Sequence, residues 1–484
     1  MIRKAKIVCT IGPASRDPAV LDRLIDAGMN VARLNFSHGS QEFHGATIEA
    51  IRAAADRRRT AVAILQDLQG PRIRLGTLPD GGLELTAGQS VRLIGGMLRS
   101  GGQLGAQTVT PSSLIELPVT YPQLARDVQS GARILIDDGR VELTATTVSG
   151  GAVECRVKIG GLVTSNKGLN LPGTSVSAPT LTDKDRGDIR FGVARQVDYL
   201  ALSFVRSPDD IRAARAFVQE CGGTQPIIAK IERAEAVAAL GPILDAADGV
   251  MIARGDLGVE MGPETVPILQ RRILAESNRR RRVVITATQM LESMIAQPMP
   301  TRAEASDVAN AVFGQTDAVM LSGETARGQF PIETVQVMDR IVRAAEAEQD
   351  QAAYRRTDRE HVPSVSEAMC EAAATAAATT KATVLAVLTE SGTTARLLSK
   401  QRPSAPIVAF TPHEPVRRRM ALLWGVEPRL MAHIHDSDSQ VVEVEQRLKT
   451  DRLVTAGDRI VLLAGTVAGR PGGTNVMKLH EVTA

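Results

Sequence analysis

The stretch PIIAKIE, from Pro226 to Glu232, is a short, almost continuous apolar run that ends in charged residues. Such a run is typical of a strand that is buried on both faces of a parallel sheet. Seven further runs of this kind occur along the chain: Lys6–Ile11, Asn30–Phe36, Ala61–Asp67, Tyr199–Phe204, Gly249–Asp256, Val283–Thr288 and Ala318–Ser322. The chain therefore contains eight candidate strands of one parallel sheet.

Helix-like segments separate these strands and carry recognisable end signals. Asp17-Pro18 is a start signal and Gly28 a stop signal for one helix. Thr182 followed by Asp185 resembles the capping box of another helix. Eight strand–helix units in one chain predict an α/β fold, a closed (β/α)8 TIM barrel rather than an open doubly wound sheet. We assign residues 1–70 and 171–345 to this barrel.

The segment between the third and fourth strands has a different character. It is rich in glycine, with short Val/Leu/Thr alternations and turn signals such as Pro79-Asp80-Gly81. This pattern predicts a small β-barrel domain inserted into a barrel loop at residues 71–170, with a disordered insertion as the alternative. Residues 355–484 again read as α/β, with a helix at Val365–Thr380 and strands at Val384–Leu388, Ile407–Phe410 and Ile460–Leu463.

Composition excludes several classes of protein. The content of 43% hydrophobic and 23% charged residues is that of a soluble globular protein, and the net charge of +3 argues against a dedicated nucleic-acid binder. The four cysteines are scattered, with no spacing typical of a zinc site or a disulfide framework. No apolar run is long enough to span a membrane or to act as a signal peptide, so we expect a cytoplasmic protein without membrane or nucleic-acid partners.

Polar residues collect at the predicted strand ends, where barrel enzymes place their functional groups. Lys230 and Glu232 share one face of their strand, and Asp256 follows the next strand between two glycines. Two carboxylates on adjacent strand ends suit a divalent metal ion such as Mg2+. A lone Lys–Glu pair is more often a structural salt bridge, so the hypothesis depends on the whole ensemble of groups.

Other strand ends add to this ensemble. Arg33, Asn35 and Ser37 alternate onto one face of the second strand, Asp67 ends the third, and Thr288 ends the seventh. Together with Arg72 and Arg74 after the third strand, these groups predict a basin that can hold metal ions and multiply charged phosphates. The sequence thus favours phosphoryl transfer at the mouth of the barrel.

These residues lie in motifs that resemble the pyruvate kinase family. The motifs, in the family's order, are IVCTIGPAS, NVARLNFSHG, DLQGPRIR, NKGLNLPG, IAKIE, ARGDLGVE, TATQMLESM, PTRAEASDVANAV and LSGETA. The resemblance implies transfer of a phosphoryl group from phosphoenolpyruvate to ADP, giving pyruvate and ATP. It also implies that the inserted domain acts as a lid, and that the chain forms a homotetramer.

The resemblance further implies individual roles. Lys230 would neutralise the moving phosphoryl group and the enolate, and Arg33 would contact the phosphate. Glu232 and Asp256 would hold Mg2+ or Mn2+. The remaining roles would be carboxylate binding by Gly255 and Thr288, with Thr288 near the proton route to the enolate carbon, and nucleotide-phosphate binding by Arg74 and Lys167.

The chain departs from the family's pattern beside the monovalent-cation site. Many members have Asp-Thr-Lys-Gly-Pro-Glu where this chain has Asp67-Leu68-Gln69-Gly70-Pro71-Arg72. In the family K+ lies among groups that match Asn35, Ser37, Asp67 and the carbonyl of Leu68. A guanidinium at Arg72 would repel K+ and could supply its charge, so we predict that activity does not require K+.

A second possible site lies in the C-terminal part. There the segment of Thr389, Ser391, Gly392, Thr393 and Thr394, together with Gly469–Thr474, resembles the family's pocket for a phosphorylated effector, such as a sugar phosphate or a nucleoside monophosphate. An ordinary helix cap followed by a turn is the alternative.

Two rival functions remain open at this stage. One is a metal-dependent aldolase or lyase on the same barrel, acting on pyruvate-like compounds, which would explain Glu232 and Asp256 but not the lid domain, Lys167 or the several arginines. The other is a non-catalytic homologue, which predicts the loss of functional residues at the strand ends.

Overall fold

A computed structural model of the chain describes residues 3–96, 114–348, 362–434, 436–465 and 473–483. In chain order its strands are β1 (Lys6–Thr10), β2 (Val31–Asn35), β3 (Ala63–Asp67), β4 (Leu83–Leu85), β5 (Ser90–Gly95), β6 (Ile115–Val119), β7 (Arg133–Ile136), β8 (Val141–Ser149), β9 (Ala152–Ile159), β10 (Gly161–Val163), β11 (Leu169–Asn170), β12 (Tyr199–Leu202), β13 (Ile227–Ile231), β14 (Gly249–Ala253), β15 (Val283–Ala287), β16 (Ala318–Leu321), β17 (Val384–Leu388), β18 (Ile407–Thr411), β19 (Val426–Leu430), β20 (Arg459–Gly465) and β21 (Thr474–Glu481).

The α-helices are α1 (Pro18–Ala27), α2 (Gln41–Arg57), α3 (Leu124–Asp127), α4 (Asp183–Ala194), α5 (Pro208–Glu220), α6 (Ala234–Ala238), α7 (Leu240–Ala246), α8 (Arg254–Met261), α9 (Val266–Arg279), α10 (Arg302–Phe313), α11 (Gly323–Ala326), α12 (Pro331–Glu348), α13 (Val365–Thr380), α14 (Thr393–Ser399), α15 (Glu414–Met420) and α16 (Ser437–Thr450). Short 3-10 turns cover Pro263–Thr265 and Glu292–Ile295. No helix in the described ranges has both the length and the apolarity that crossing a membrane requires.

The eight predicted strands form one closed parallel barrel in the order β1-β16-β15-β14-β13-β12-β3-β2, which confirms the predicted fold. The helix ends are also as predicted. The Asp17 carboxylate accepts a hydrogen bond from the N–H of Ala19, Gly28 ends α1 at a φ of 116°, and Thr182 and Asp185 cap α4 reciprocally. Only Gly tolerates such a φ without strain.

The strand boundaries differ from the predicted runs by one or two residues in most cases, and the largest difference is at the end of the sixth run. The sixth run was expected to continue to Asp256, but β14 ends at Ala253 and α8 begins at Arg254 without an intervening loop. Asp256 therefore lies in the first turn of a helix, where a carboxylate interacts favourably with the free backbone N–H groups.

The insertion after β3 consists of β-strands, and the alternative of a disordered insertion is wrong for the residues that the structure describes there. Its strands form a six-stranded sheet in the order β11-β7-β8-β9-β5-β6 and a two-stranded sheet of β10 and β4. They share one core of aliphatic residues that includes Leu93, Leu117 and Leu143. The insertion leaves the barrel directly after β3, so it lies next to the carboxyl ends of the barrel strands.

The C-terminal part forms a five-stranded sheet in the order β19-β18-β17-β20-β21. The helix and the three strands predicted there are present, but β19 and β21 were missed. β19 contains a proline and two charged residues, and most of β21 is exposed, so neither has the apolar run of a buried strand.

The C-terminal part packs against the bottom of the barrel. The ammonium of Lys400 lies 2.5 Å from the carboxylate of Asp317, which precedes β16, and the hydroxyl of Tyr199 donates to the carbonyl of Arg419 at 2.7 Å. Both barrel residues lie at the amino-terminal ends of their strands. This packing leaves the opposite end, the mouth, to the insertion and the predicted functional groups.

Candidate active site

The ammonium group of Lys230 is at the centre of the barrel mouth. It lies 2.8 Å from Oε1 of Glu232 and 3.3 Å from Oδ1 of Asp67, and it donates a hydrogen bond to the hydroxyl of Ser203 at 2.7 Å. Parallel pairing brings β13, β12 and β3 side by side, so groups that are far apart in sequence meet here. Lys230 and Glu232 are on one side of the strand end, as the sequence predicts.

Arg33 joins this cluster from β2. Its Nε donates to Oδ2 of Asp67 at 2.7 Å, and its Nη1 donates to the hydroxyl of Thr10 at 2.9 Å. Asp67 therefore lies between two cations, Arg33 and Lys230. The cluster thus holds two positive charges, those of Arg33 and Lys230, that an anionic ligand could contact.

The charges in the cluster shift one another's pKa values. Burial alone would lower the pKa of Lys230, but the carboxylates of Asp67 and Glu232 raise it above its usual value. Burial alone would raise the pKa of Asp67, but Lys230 and Arg33 hold that pKa below its usual value. Lys230 and Asp67 are therefore both charged at neutral pH.

The pKa of Glu232 shifts in the opposite direction to that of Asp67. Burial raises the pKa of Glu232 despite the neighbouring Lys230, and the negative charge of Asp256 raises it further. The carboxylate accepts the N–H of Phe204 at 2.6 Å, and Phe204 has a φ of 55°, which is uncommon for a bulky residue. Because burial and a neighbouring carboxylate both disfavour the ionised form of Glu232, a second cation nearby would stabilise that form.

The oxygens that face Lys230 retain bonding capacity. Oε1 of Glu232 and Oδ1 of Asp67 are buried and pair electrostatically with the ammonium, but neither accepts a well-aligned hydrogen bond from the described part of the chain. Asp256 is about one-quarter exposed, and Nη2 of Arg72 lies 3.8 Å from its Oδ1. Hard oxygen donors of this kind fit a divalent cation such as Mg2+.

Gly255 and Thr288 meet at the ends of β14 and β15, the next two strands of the barrel after β13. The N–H of Gly255 donates to the hydroxyl oxygen of Thr288 at 2.9 Å, and that hydroxyl donates to the carbonyl of Ala287 at 2.7 Å. Thr288 and Gln289 have φ values of 68° and 53°, the left-handed conformation that a β-branched residue such as threonine rarely adopts. Strain at two successive residues is typical of a functional site.

Arg254 holds this strained turn in place. Its guanidinium donates to the carbonyls of Thr288 and Gln289 at 2.6 and 3.2 Å, and it pairs with Asp307 at 2.5 Å. The side chain of Arg254 is 7% exposed, so these bonds are sheltered from water. Arg254 lies in the motif ARGDLGVE, but its role could not be predicted from the sequence.

The groups predicted to bind the nucleotide lie where the insertion joins the barrel. Nη1 of Arg74 donates to the carbonyl of Asn166 at 2.9 Å, and Nζ of Lys167 pairs with Oδ1 of Asp137 at 2.8 Å. Beside them a cleft opens between the insertion and the mouth. The cleft is lined by residues of both parts, several of them charged: Pro71, Arg72, Ile73, Asp138, Gly168, Leu169, Asn170, Leu171, Val176, Ala178, Phe204, Arg206, Arg233 and Asp256.

Three of the predicted monovalent-cation groups already have partners within the protein. Oδ1 of Asn35 accepts the N–H of Ser37 at 3.2 Å, and the carbonyl of Leu68 accepts the hydroxyl of Ser203 at 2.7 Å. Asp67 is paired with two cations, as described above. The ion pair of Arg72 is with Asp256, on the side of the mouth where the divalent ion was predicted.

The predicted effector segment follows β17 and includes the first two residues of α14. Thr389 and Thr394 are buried, and their hydroxyls bond to the N–H of Gly392 at 3.0 Å and to the hydroxyl of Thr474 at 2.5 Å. The hydroxyls of Ser391 and Thr393 lie 2.9 Å apart. Residues 469–472 of the facing glycine-rich segment lie outside the described residues.

Comparison with known proteins identifies the family. The family profile described as "Pyruvate kinase, barrel domain" matches residues 2–335, and "Pyruvate kinase, alpha/beta domain" matches residues 367–480. The chain belongs to the pyruvate kinase family. A pyruvate kinase of Geobacillus stearothermophilus is 44% identical over 488 residues, covering 100% of this chain and 81% of that protein. One of Sporosarcina psychrophila is 43% identical over 485 residues, covering 99% and 81%.

A solved structure agrees with these relatives. The crystal structure of a pyruvate kinase from Cryptosporidium parvum superposes with a TM-score of 0.90 at 37% identity and covers 99% of this chain and 96% of that chain. Glycolytic phosphoryl transfer is the role of the family, and the chain is a phosphotransferase of this kind. The family is in general dependent on divalent metal ions.

Ser203 is a further residue that the sequence analysis missed. It bonds to Lys230 through its hydroxyl and links the ammonium to the carbonyl of Leu68. A signal was present in the sequence, since Ser203 directly follows the apolar run Tyr199–Leu202, at the end of a barrel strand where functional groups collect.

We predict that Arg254→Met lowers kcat by about 10- to 100-fold, because the turn of Thr288 and Gln289 would lose its support and shift. Steady-state kinetics and the melting temperature measure the effect. Arg212→Met is the matched control, because Arg212 is exposed on α5 and pairs with the exposed Asp209. Unchanged kcat in a folded Arg254→Met variant would contradict a positioning role.

Proposed function

We propose that the cluster around Lys230 performs the transfer from phosphoenolpyruvate to ADP. The observation that carries this proposal is the position of Lys230, a buried ammonium in contact with Asp67 and Glu232. It could neutralise a phosphoryl group in flight and the enolate that remains, which is charge that develops during the reaction. Arg33, on β2 and bonded to the carboxylate of Asp67, could hold the phosphate against it.

Glu232 and Asp256 are our candidates for the ligands of Mg2+ or Mn2+. The raised pKa of Glu232, its buried oxygen without an aligned hydrogen bond, and the partly exposed Asp256 all fit a hard divalent cation. When bound, such an ion would neutralise phosphate and carboxylate oxygens of the substrate. The protein residues fix where this charge is placed relative to Lys230.

The carboxylate end of the substrate would bind at Gly255 and Thr288. The N–H of Gly255 lies in the first turn of α8, where backbone N–H groups have no partner within the helix. In the structure it donates to the hydroxyl of Thr288. We infer that the substrate carboxylate replaces this bond, which frees the hydroxyl. Thr288 would then lie on the route of the proton to the enolate carbon.

Arg74 and Lys167 would receive the phosphates of ADP. Both carry positive charge at the junction between insertion and barrel, and the pair of Lys167 with Asp137 is 37% exposed on the lysine side. Phosphate could take over Lys167 from Asp137 as the lid closes. A closed lid would exclude water and so prevent hydrolysis in place of transfer. The assignment of residues 71–170 to a lid, 1–70 and 171–345 to the catalytic barrel, and 355–484 to a regulatory domain is part of this proposal.

Binding partners and cellular setting follow from the family resemblance and are proposed on that ground. They are a homotetrameric assembly, a cytoplasmic location, and a phosphorylated effector beside Ser391 and Thr393, the exposed and half-exposed hydroxyls of the effector segment. The aldolase or lyase alternative does not account for the cations Arg33 and Lys167. Detection of ATP from phosphoenolpyruvate and ADP in a coupled assay separates the two functions.

We predict that Lys230→Met lowers kcat by at least about 1,000-fold while the protein remains folded, because the developing negative charge loses its nearest cation. Coupled detection of pyruvate, with circular dichroism as the folding check, makes the measurement. Lys158→Met is the control, since Lys158 lies on the surface of the insertion and pairs there with Glu142. Full turnover by a folded Lys230→Met variant would favour a different chemical role for the site.

We also propose that K+ is not required, because the guanidinium of Arg72 already supplies positive charge at the mouth. The wild type is expected to keep most of its turnover when a bulky organic cation is the only monovalent cation. Arg72→Glu should lose turnover under those conditions and recover it with K+, at saturating Mg2+ in both cases. Arg212→Glu controls for the change in charge. Near-total loss of wild-type activity without K+ would refute the proposal.

A further inference from the structure

A cluster of two histidines and a glutamate lies in the C-terminal part, far from the barrel mouth. It consists of Glu390, His413 and His433, whose ligand atoms all lie within 4.8 Å of one another. His413 and His433 are two of the seven histidines of the chain. We call this group the Glu-His-His cluster. Neither the family resemblance nor the reaction gives it a role.

The carboxylate of Glu390 is at the centre of the cluster. Its Oε2 lies 2.9 Å from Nε2 of His413, and its Oε1 lies 3.3 Å from Nε2 of His433. The two imidazole rings meet edge to face, with centroids 6.2 Å apart. Both rings therefore turn their Nε2 atoms toward the same carboxylate, so three donor atoms converge on one small volume.

The three residues of the cluster occupy similar positions after three neighbouring strands. Glu390 follows β17 by two residues, His413 follows β18 by two, and His433 follows β19 by three. The strands β17, β18 and β19 are parallel neighbours in the sheet. The carboxyl ends of parallel strands are where open α/β sheets place their ligands. The sheet thus holds the three donors at fixed spacing, on the side where binding sites usually form.

The donor set selects a class of ligand. Two imidazoles and one carboxylate are the protein ligands of many zinc sites, with the fourth tetrahedral position open to water or to another ligand. Imidazole also suits copper, nickel and cobalt, whereas Mg2+ prefers oxygen donors such as those at the barrel mouth. We propose that Glu390, His413 and His433 bind one divalent transition-metal ion, with Zn2+ as the best match. This inference does not depend on the proposed roles of the active-site residues.

Small movements would complete the site. Tetrahedral ligands at about 2.0–2.1 Å from zinc lie roughly 3.3 Å apart, close to the spacing between Glu390 and each histidine. His413 and His433 are 51% and 36% exposed, so a metal ion can reach both rings. A bound ion would link the loops after three strands and place positive charge next to Ser391, in the predicted effector segment.

The competing explanation is a carboxylate that simply bridges two imidazoles without metal. The chain contains a matched control for it. His480 contacts Oε2 of Glu445 through Nε2 at 2.5 Å, but in the described residues no second histidine or cysteine completes a metal-ligating group there. A histidine–glutamate pair alone should therefore not bind zinc, and His480→Ala should behave as the wild type does.

The test is zinc binding by the full-length protein after removal of metals with a chelator. Isothermal titration with ZnCl2 alone, in excess Mg2+ to occupy oxygen-donor sites, gives stoichiometry and affinity. The wild type and His480→Ala should bind one Zn2+ per chain. His413→Ala, His433→Ala and Glu390→Gln should each weaken binding by about 10- to 100-fold or more, because each loses one of three ligands.

Two further measurements exclude misfolding as the cause. Turnover in the absence of zinc should be unchanged in all four variants, since none of these residues is near the barrel mouth. Zinc should raise the melting temperature of the wild type and of His480→Ala, but not that of the cluster variants. Zinc binding of equal affinity in wild type and cluster variants would overturn the proposal, and so would no zinc binding by the wild type.

Discussion

The candidate active site depends on one buried contact, that of the Lys230 ammonium with the carboxylates of Glu232 and Asp67. A buried charge is costly unless it is paired, so this cation requires its partners as much as they require it. The partners come from the ends of β13 and β3, which lie near each other because β12 pairs with both. Assembly of the site therefore requires this part of the barrel sheet to form.

The rest of the molecule leaves this contact accessible on one side only. The C-terminal part covers the bottom of the barrel through buried ion pairs such as that of Lys400 with Asp317. The insertion lies above the mouth, with a cleft between the two. Within the mouth, Arg254 stabilises a turn with unfavourable backbone angles, which places Thr288 beside Gly255. Stability supplied by the barrel thus supports a strained arrangement at the candidate active site.

Much of this architecture could be predicted from local sequence. The eight barrel strands are short apolar runs, and the ends of α1 and α4 have capping residues with a direct physical meaning. Lys230 and Glu232 could be placed on one face because side chains alternate along a strand. Edge strands could not be found in this way, since β21 is mostly exposed and has no continuous apolar run.

The contacts that could not be predicted join residues far apart in the chain. Ser203 meets Lys230, Lys167 meets Asp137, and Glu390 meets His433 only because sheets bring their loops together. No spacing in the sequence encodes such meetings. The proposed roles of the residues at the barrel mouth likewise depend on contacts between residues that are far apart in the sequence.

The most direct test of this account is the position of the divalent ion relative to Lys230. Crystals grown with Mn2+ and an unreactive analogue of enolpyruvate allow the ion to be located by anomalous diffraction at the manganese edge. The account predicts one strong peak bonded to carboxylate oxygens of both Glu232 and Asp256, with the analogue between the ion and the Lys230 ammonium. A manganese peak elsewhere, with Glu232 still bound to Lys230 alone, would contradict it.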